Sequence, residues 1–241
     1  MKNTSYNEQN HQLVSELEQI KDLLMEKKNI PLYPGLIDGK MGIAVFFFHY
    51  AEYVKEEKYN DYANNLIEDV QNQISFDTPL NYNSGLTGIG TAIEYIVQQG
   101  MTDDNTDEIL SDFDKIFKLY LKERVLYMPI NDIIDMGKYF QFRFSNKENT
   151  PKTKKTMERL AYVLSLHMAV HPKNSPRAIS WLSAFSKKCH SGVITDLLEK
   201  LSDISPEKLP DDDLYMQNRA FAGLEILSLL DKQHLSWKEI L

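Results

Sequence analysis

Two segments of the chain repeat one another. Gly35-Leu36-Ile37-Asp38-Gly39-Lys40-Met41-Gly42-Ile43-Ala44 and Gly85-Leu86-Thr87-Gly88-Ile89-Gly90-Thr91-Ala92-Ile93 are both Gly-Leu loops with two further glycines that run into an apolar stretch. An element that recurs after about 50 residues marks an array of similar helical units. Glycine lets a helix start in tight contact with its neighbours, and it reaches backbone conformations closed to other residues. Gly35, Gly39, Gly42, Gly85, Gly88 and Gly90 are therefore expected to hold backbone positions rather than perform chemistry.

The rest of the chain continues the pattern. Leu13, Leu17, Ile20 and Leu24 recur at helical steps and predict an amphipathic helix, with Pro31 and Pro34 beyond it. Residues 41–54 are apolar on nearly every side, as in a helix buried all round. Tyr62, Leu66, Val70 and Ile74 form a one-sided stripe, and 89–97 is again largely apolar, with Gly100 at the position of a helix C-cap. Beyond it, Ile109, Phe113, Ile116, Phe117 and Tyr120 are one-sided, and Pro129 opens a fuller apolar segment, 130–144. Met157, Leu160, Ala161, Leu164 and Met168 are one-sided again. Ser175-Pro176 reads as a helix start before 178–185. A short stripe over 193–201, an apolar helix over 215–230 and a capping-box pair, Ser236 and Glu239, complete the chain.

The reading is all-α: outer helix, loop, inner helix, about five times over. It predicts an array of helical hairpins, with a plain helical bundle or solenoid as the simplest form. Residues 1–10 read as a polar tail ahead of a single domain, 11–241. The 241 residues suffice for a large core, and a net charge of −8 argues against nucleic acid as a partner. No apolar run is long enough to span a membrane, and nothing at the N-terminus marks export. A single cysteine, Cys189, excludes an intrachain disulfide and suits a reducing cytoplasm.

At its glycine loops the sequence resembles the lanthionine synthetase C-like family, the LanC-like cyclases. The likeness rests on Gly85-Leu86-Thr87-Gly88-Ile89-Gly90-Thr91-Ala92-Ile93-Glu94-Tyr95-Ile96, on 39–51, and on Thr106-Asp107-Glu108-Ile109-Leu110 in the outer helix that follows. It runs from about Gly35 to Phe117 and thins beyond. The resemblance implies an α/α toroid-like array, which about five hairpins would leave open or incomplete as a ring, and relatives that cyclise peptides by adding cysteine thiols to dehydrated serines and threonines. It also implies a zinc ion held by two cysteines and a histidine, and a histidine for acid–base chemistry. This chain departs from that pattern, because two cysteine ligands cannot come from one cysteine. Cys189-His190 echoes the family's adjacent Cys-His pair, but Ser191 stands where the family has glycine. The expectation is therefore no zinc, and no other cofactor, with Cys189 and His190 as an ordinary helix-end pair.

Other chemistry-bearing residues have structural readings beside functional ones. His49 lies inside an apolar helix and reads first as a core histidine bonded to a neighbour. Asp132 and Asp135 sit near an inner-helix start, where paired carboxylates serve glycoside hydrolysis, and Asp38 and Glu94 are possible partners. His167 and His171 have metal-ligand spacing but read as a solvated helix end before Pro172, and Asp211-Asp212-Asp213 favours a helix N-terminus. Phe46-Phe47-Phe48 reads as core.

In a toroid the inner helices run alike, so their N-termini gather at one end. That end is expected to carry Asp38, Lys40, Thr87, Asn131, Asn174, Arg177 and Arg219, and its N–H groups and helix dipoles favour an anion such as a peptide carboxylate. The functional expectation is a degenerate, zinc-free LanC-like protein that binds or presents a peptide in a ribosomal-peptide modification pathway. The alternatives are an α/α-toroid carbohydrate-active enzyme using paired carboxylates, and a helical scaffold for another protein.

Overall fold

A computed structural model describes residues 2–37, 39–124, 127–144, 151–170, 218–231 and 236–240. Every regular element among them is helical. The α-helices are α1 (Lys2–Met25), α2 (Lys40–Val54), α3 (Lys58–Gln73), α4 (Leu86–Gln98), α5 (Thr106–Ile109), α6 (Ser111–Glu123), α7 (Ile130–Arg143), α8 (Pro151–Val170) and α9 (Arg219–Asp231). Short 3-10 turns lie at Lys27–Asn29 and Ser236–Ile240. The chain divides into two compact units. One holds Met1–Pro79, Asn83–Asp103 and Asp213–Leu241, and the other holds Leu80–Tyr82 and Asp104–Asp212.

In the first unit α2 is the central helix, buried from Lys40 through Ala51. Its sequence leaves no polar face to turn toward water, so neighbours must cover it on every side. α3 covers one side with Tyr59, Ala63, Leu66 and Val70; of the stripe expected there Leu66 and Val70 are buried, while Tyr62 and Ile74 are only partly so. The contact is aromatic: Phe47 stacks on Tyr59 at 6.0 Å and meets Tyr62 edge-on at 4.6 Å, while Tyr50 meets Tyr59 edge-on at 4.8 Å. Each such pair is worth about 0.5–1.5 kcal/mol beyond its buried area. The Phe46-Phe47-Phe48 run is core, as its composition suggested.

α1 buries Leu17, Ile20 and Leu24, and the Tyr50 hydroxyl donates to Glu18 on it. Its helical backbone begins at Lys2, through the stretch read from sequence as a polar tail. Residues 2–10 carry no apolar periodicity, so the sequence held no sign of that extension. α9 packs on α2 through Gly223, which lies against the ring of Phe46. The closing 3-10 turn, expected from the Ser236/Glu239 spacing, buries Trp237 completely, and its indole N–H donates to the Ser228 hydroxyl at 3.0 Å.

The glycines of the first repeated loop, Gly35, Gly39 and Gly42, hold position by close approach. Gly39 and Gly85 have ordinary extended backbone, with φ of −144° and −120°. What excludes a side chain is space: a Cβ on Gly35 would overlap the backbone of Ser84 and Asn83, and one on Gly42 would overlap the carbonyl of Leu36. Backbone cannot rotate out of the way as a side-chain tip can. Gly35→Ala is therefore expected to lower stability by roughly 1–3 kcal/mol through overpacking. Urea unfolding reads this directly, and an unchanged midpoint would show that the two loops are not in register. Gly100 is different. It has φ +68° with open space around it, and it ends α4 in a Schellman motif. Its N–H bonds the Val97 carbonyl at 2.9 Å, and the Met101 N–H bonds that of Ile96 at 3.1 Å.

In the second unit α6 contributes Phe117 and Leu121, α7 contributes Ile133, Ile134, Met136, Tyr139 and Phe140, and α8 contributes Met157, Leu160, Ala161 and Leu164. Phe117 meets Tyr139 edge-on at 4.8 Å. Arg159 of α8 closes the end of α6, donating to the carbonyls of Leu121 at 3.1 Å and Lys122 at 3.3 Å. Those carbonyls have no partner within their own helix, and a cation there also complements the dipole.

Candidate functional site

The starts of α2, α4 and α9 are tied together in the first unit, and Ile37 is the knot. Its N–H donates to the Asn83 carbonyl at 2.9 Å, which joins the loop before α2 to the loop before α4. Its own carbonyl accepts from the Asn218 side-chain amide, which joins the same loop to the start of α9. Asn218 also accepts from the Ala220 N–H at 2.9 Å, so one side chain caps α9 and anchors the loop before α2. Asn218→Ala is expected to cost about 1–2 kcal/mol, the upper range for a lost cap, because the Ile37 carbonyl loses its donor as well. Differential scanning calorimetry tests this, and a change within error would show that the cap bond contributes nothing.

The gathered helix starts are already largely satisfied. The Lys40 N–H donates to the Tyr33 carbonyl at 3.0 Å, and the Met41 N–H is shared between the carbonyls of Pro34 at 3.3 Å and Gly35 at 3.2 Å. In α4 the Leu86 N–H donates to the Pro79 carbonyl at 2.8 Å. The loops thus fold back over the helix ends they introduce. Lys40 has a partner of its own. Its side chain is only 9% exposed and pairs with Asp69 of α3 at 3.1 Å. A cation in the first turn of a helix opposes the dipole, and the Asp69 carboxylate offsets that cost. Thr87 is fully buried, and its carbonyl accepts from the Thr91 hydroxyl at 2.8 Å. Arg219 and Asn131, by contrast, are exposed at the starts of α9 and α7. The loop before α2 displays Leu32 and Tyr33, and the loop after α3 displays Phe76, respectively 86%, 63% and 94% exposed.

Deeper in the first unit, His49 of α2 meets Tyr95 of α4, with Nε2 at 2.7 Å from the phenol oxygen. This is the core histidine bonded to a neighbour that its apolar surroundings suggested. Burial pushes its pKa down to about 4, against a smaller opposing pull from Glu52. The imidazole is therefore neutral at pH 7. Glu94, next to Tyr95, is also buried, and it accepts from the Gln98 amide at 2.9 Å.

In the second unit Asp132 and Asp135 share the start of α7. Asp135 is buried, and its Oδ2 accepts from the Tyr82 N–H at 2.9 Å, so it holds the 80–82 segment against α7. Asp132 is half-buried, and its pKa is raised by burial first and by the Asp135 charge second. Nearby, Lys138 lies over the Tyr82 ring, 4.9 Å from its centre. Two carboxylates one turn apart on one helix do not flank a bond from opposite sides, which is the geometry glycoside hydrolysis needs.

Sequence reading passed over Arg143, a buried side chain with several partners in this unit. It is buried and donates to the Thr106 hydroxyl and carbonyl, both at 3.1 Å, and to Asp107 at 2.7 Å. Asp114 stands 3.9 Å away and accepts from the Tyr139 hydroxyl at 2.8 Å. An arginine closing an apolar stretch looks like a solvated helix end, so no sequence signal marked it. Asn218 was legible in principle, as a capping residue immediately before an apolar helix.

Asp38, Asn174, Arg177, Cys189, His190 and His171 lie outside the described residues, as does the run Asp211 to Asp213. The cysteine-rich zinc site of the resemblance does not fit this donor set, since the chain has one cysteine. Among the described residues no group of three or more His, Cys, Asp or Glu stands together as a metal site. No described helix is long and apolar enough to cross a membrane.

A family model described as lanthionine synthetase C-like protein matches residues 31–138. No curated protein and no solved structure matches the chain. The matched stretch begins in the loop that feeds α2, takes in both glycine loops and ends within α7. Over residues 31–138 the chain is thus similar to the lanthionine synthetase C-like family.

Proposed function

We propose that this chain acts in the modification of ribosomally made peptides, as a zinc-free LanC-like member that binds or presents a peptide. The observation that carries this reading is a contrast within the chain. The glycine loops that start the inner helices match the family, while the thiol ligands of its zinc are missing. Zinc in such a site would hold a thiol as thiolate, and that requires a cage this chain lacks the cysteines to build. What remains is the frame: helix starts clamped to one another, with Arg219 exposed beside them. The reading places the protein in the cytoplasm, in an open or incomplete helical ring, with a peptide as its partner and neither nucleic acid nor membrane.

Two measurements test it. Elemental analysis of protein purified without an affinity tag should find zinc well below one per chain, unchanged in Cys189→Ser. Stoichiometric zinc that Cys189→Ser removes would overturn the zinc-free reading. Separately, a labelled precursor peptide encoded beside this gene should bind the wild type and bind Arg219→Ala several-fold more weakly. No binding by the wild type would remove the peptide from the proposal. Undiminished binding by the variant would move the peptide surface away from the helix starts and onto the outer helices.

A further inference from the structure

We draw no further inference here: the strongest candidate, the exposed apolar pair Leu32 and Tyr33 on the loop before α2 in the first unit, carries nothing because no feature of the structure shows what covers it.

Discussion

Replacing Arg143 with alanine is expected to lower the stability of the second unit by about 3–5 kcal/mol, the usual cost of removing one partner from a buried charged network. The guanidinium is 2% exposed and bridges α7 to α5, with Asp114 of α6 beside it. Its loss strips donors from the Thr106 hydroxyl and carbonyl and leaves Asp114 with Lys118 alone, 3.8 Å away, of the two cations beside it. Tyr139 does not make up the difference. Burial, then Asp114, push its pKa far above the usual tyrosine range, so it remains a neutral donor of one bond to Asp114. Asp107 is the control. Its carboxylate is 68% exposed, so Asp107→Asn should cost under about 1 kcal/mol even though its bond to Arg143 is the shortest of the set at 2.7 Å. Urea titrations of both variants against the wild type measure the contrast. Equal effects would mean that Arg143 acts through its surface ion pair rather than through the buried bonds.

Acid is expected to destabilise the first unit through His49. Its folded pKa is about 4, held down chiefly by burial, against an ordinary value of 6.5. The fold therefore favours the neutral imidazole. This contribution is intact above pH 6.5, fades as pH falls from 6.5 toward 4 and changes little below that. Near pH 4 the loss reaches about 3 kcal/mol. Two groups stand out around the ring: Tyr95, which bonds Nε2, and Glu52, which raises the pKa only slightly. Carboxylates also titrate in this range, so the useful quantity is the stability difference between wild type and His49→Gln, followed from pH 7 to pH 4. The difference should move by about 3 kcal/mol against the wild type. A constant difference would show that the buried imidazole does not titrate in this interval.

The glycine loops were legible because their cause is local. Two similar strings 50 residues apart can be seen without coordinates, and they predicted both inner-helix starts and the close backbone approach at Gly35 and Gly42. The expected helix starts at Pro129 and at the Thr106 segment also have their counterparts, in α7 and α5. Two side chains have partners that no local pattern could show. Lys40 looked like a cation available to an anion, yet Asp69, 29 positions away, holds it. Asp135 looked like half of a carboxylate pair, yet it clamps the backbone of Tyr82. A side chain's type predicts what it can bond, but its partner comes from another helix.

Composition and periodicity by themselves determined that the described chain is helical, which helices are buried all round and which on one face, and where glycine is required. They also determined that two thiolates cannot meet at a zinc ion within these 241 residues. Those are properties of residue type and spacing along one chain. Tertiary structure alone decided that Ile37 joins three helix starts, that Asn218 closes the join, and that Arg143 ties α7 to α5 in the second unit. Each is a bond between groups distant in sequence, and whether it forms depends on which surfaces packing leaves facing one another.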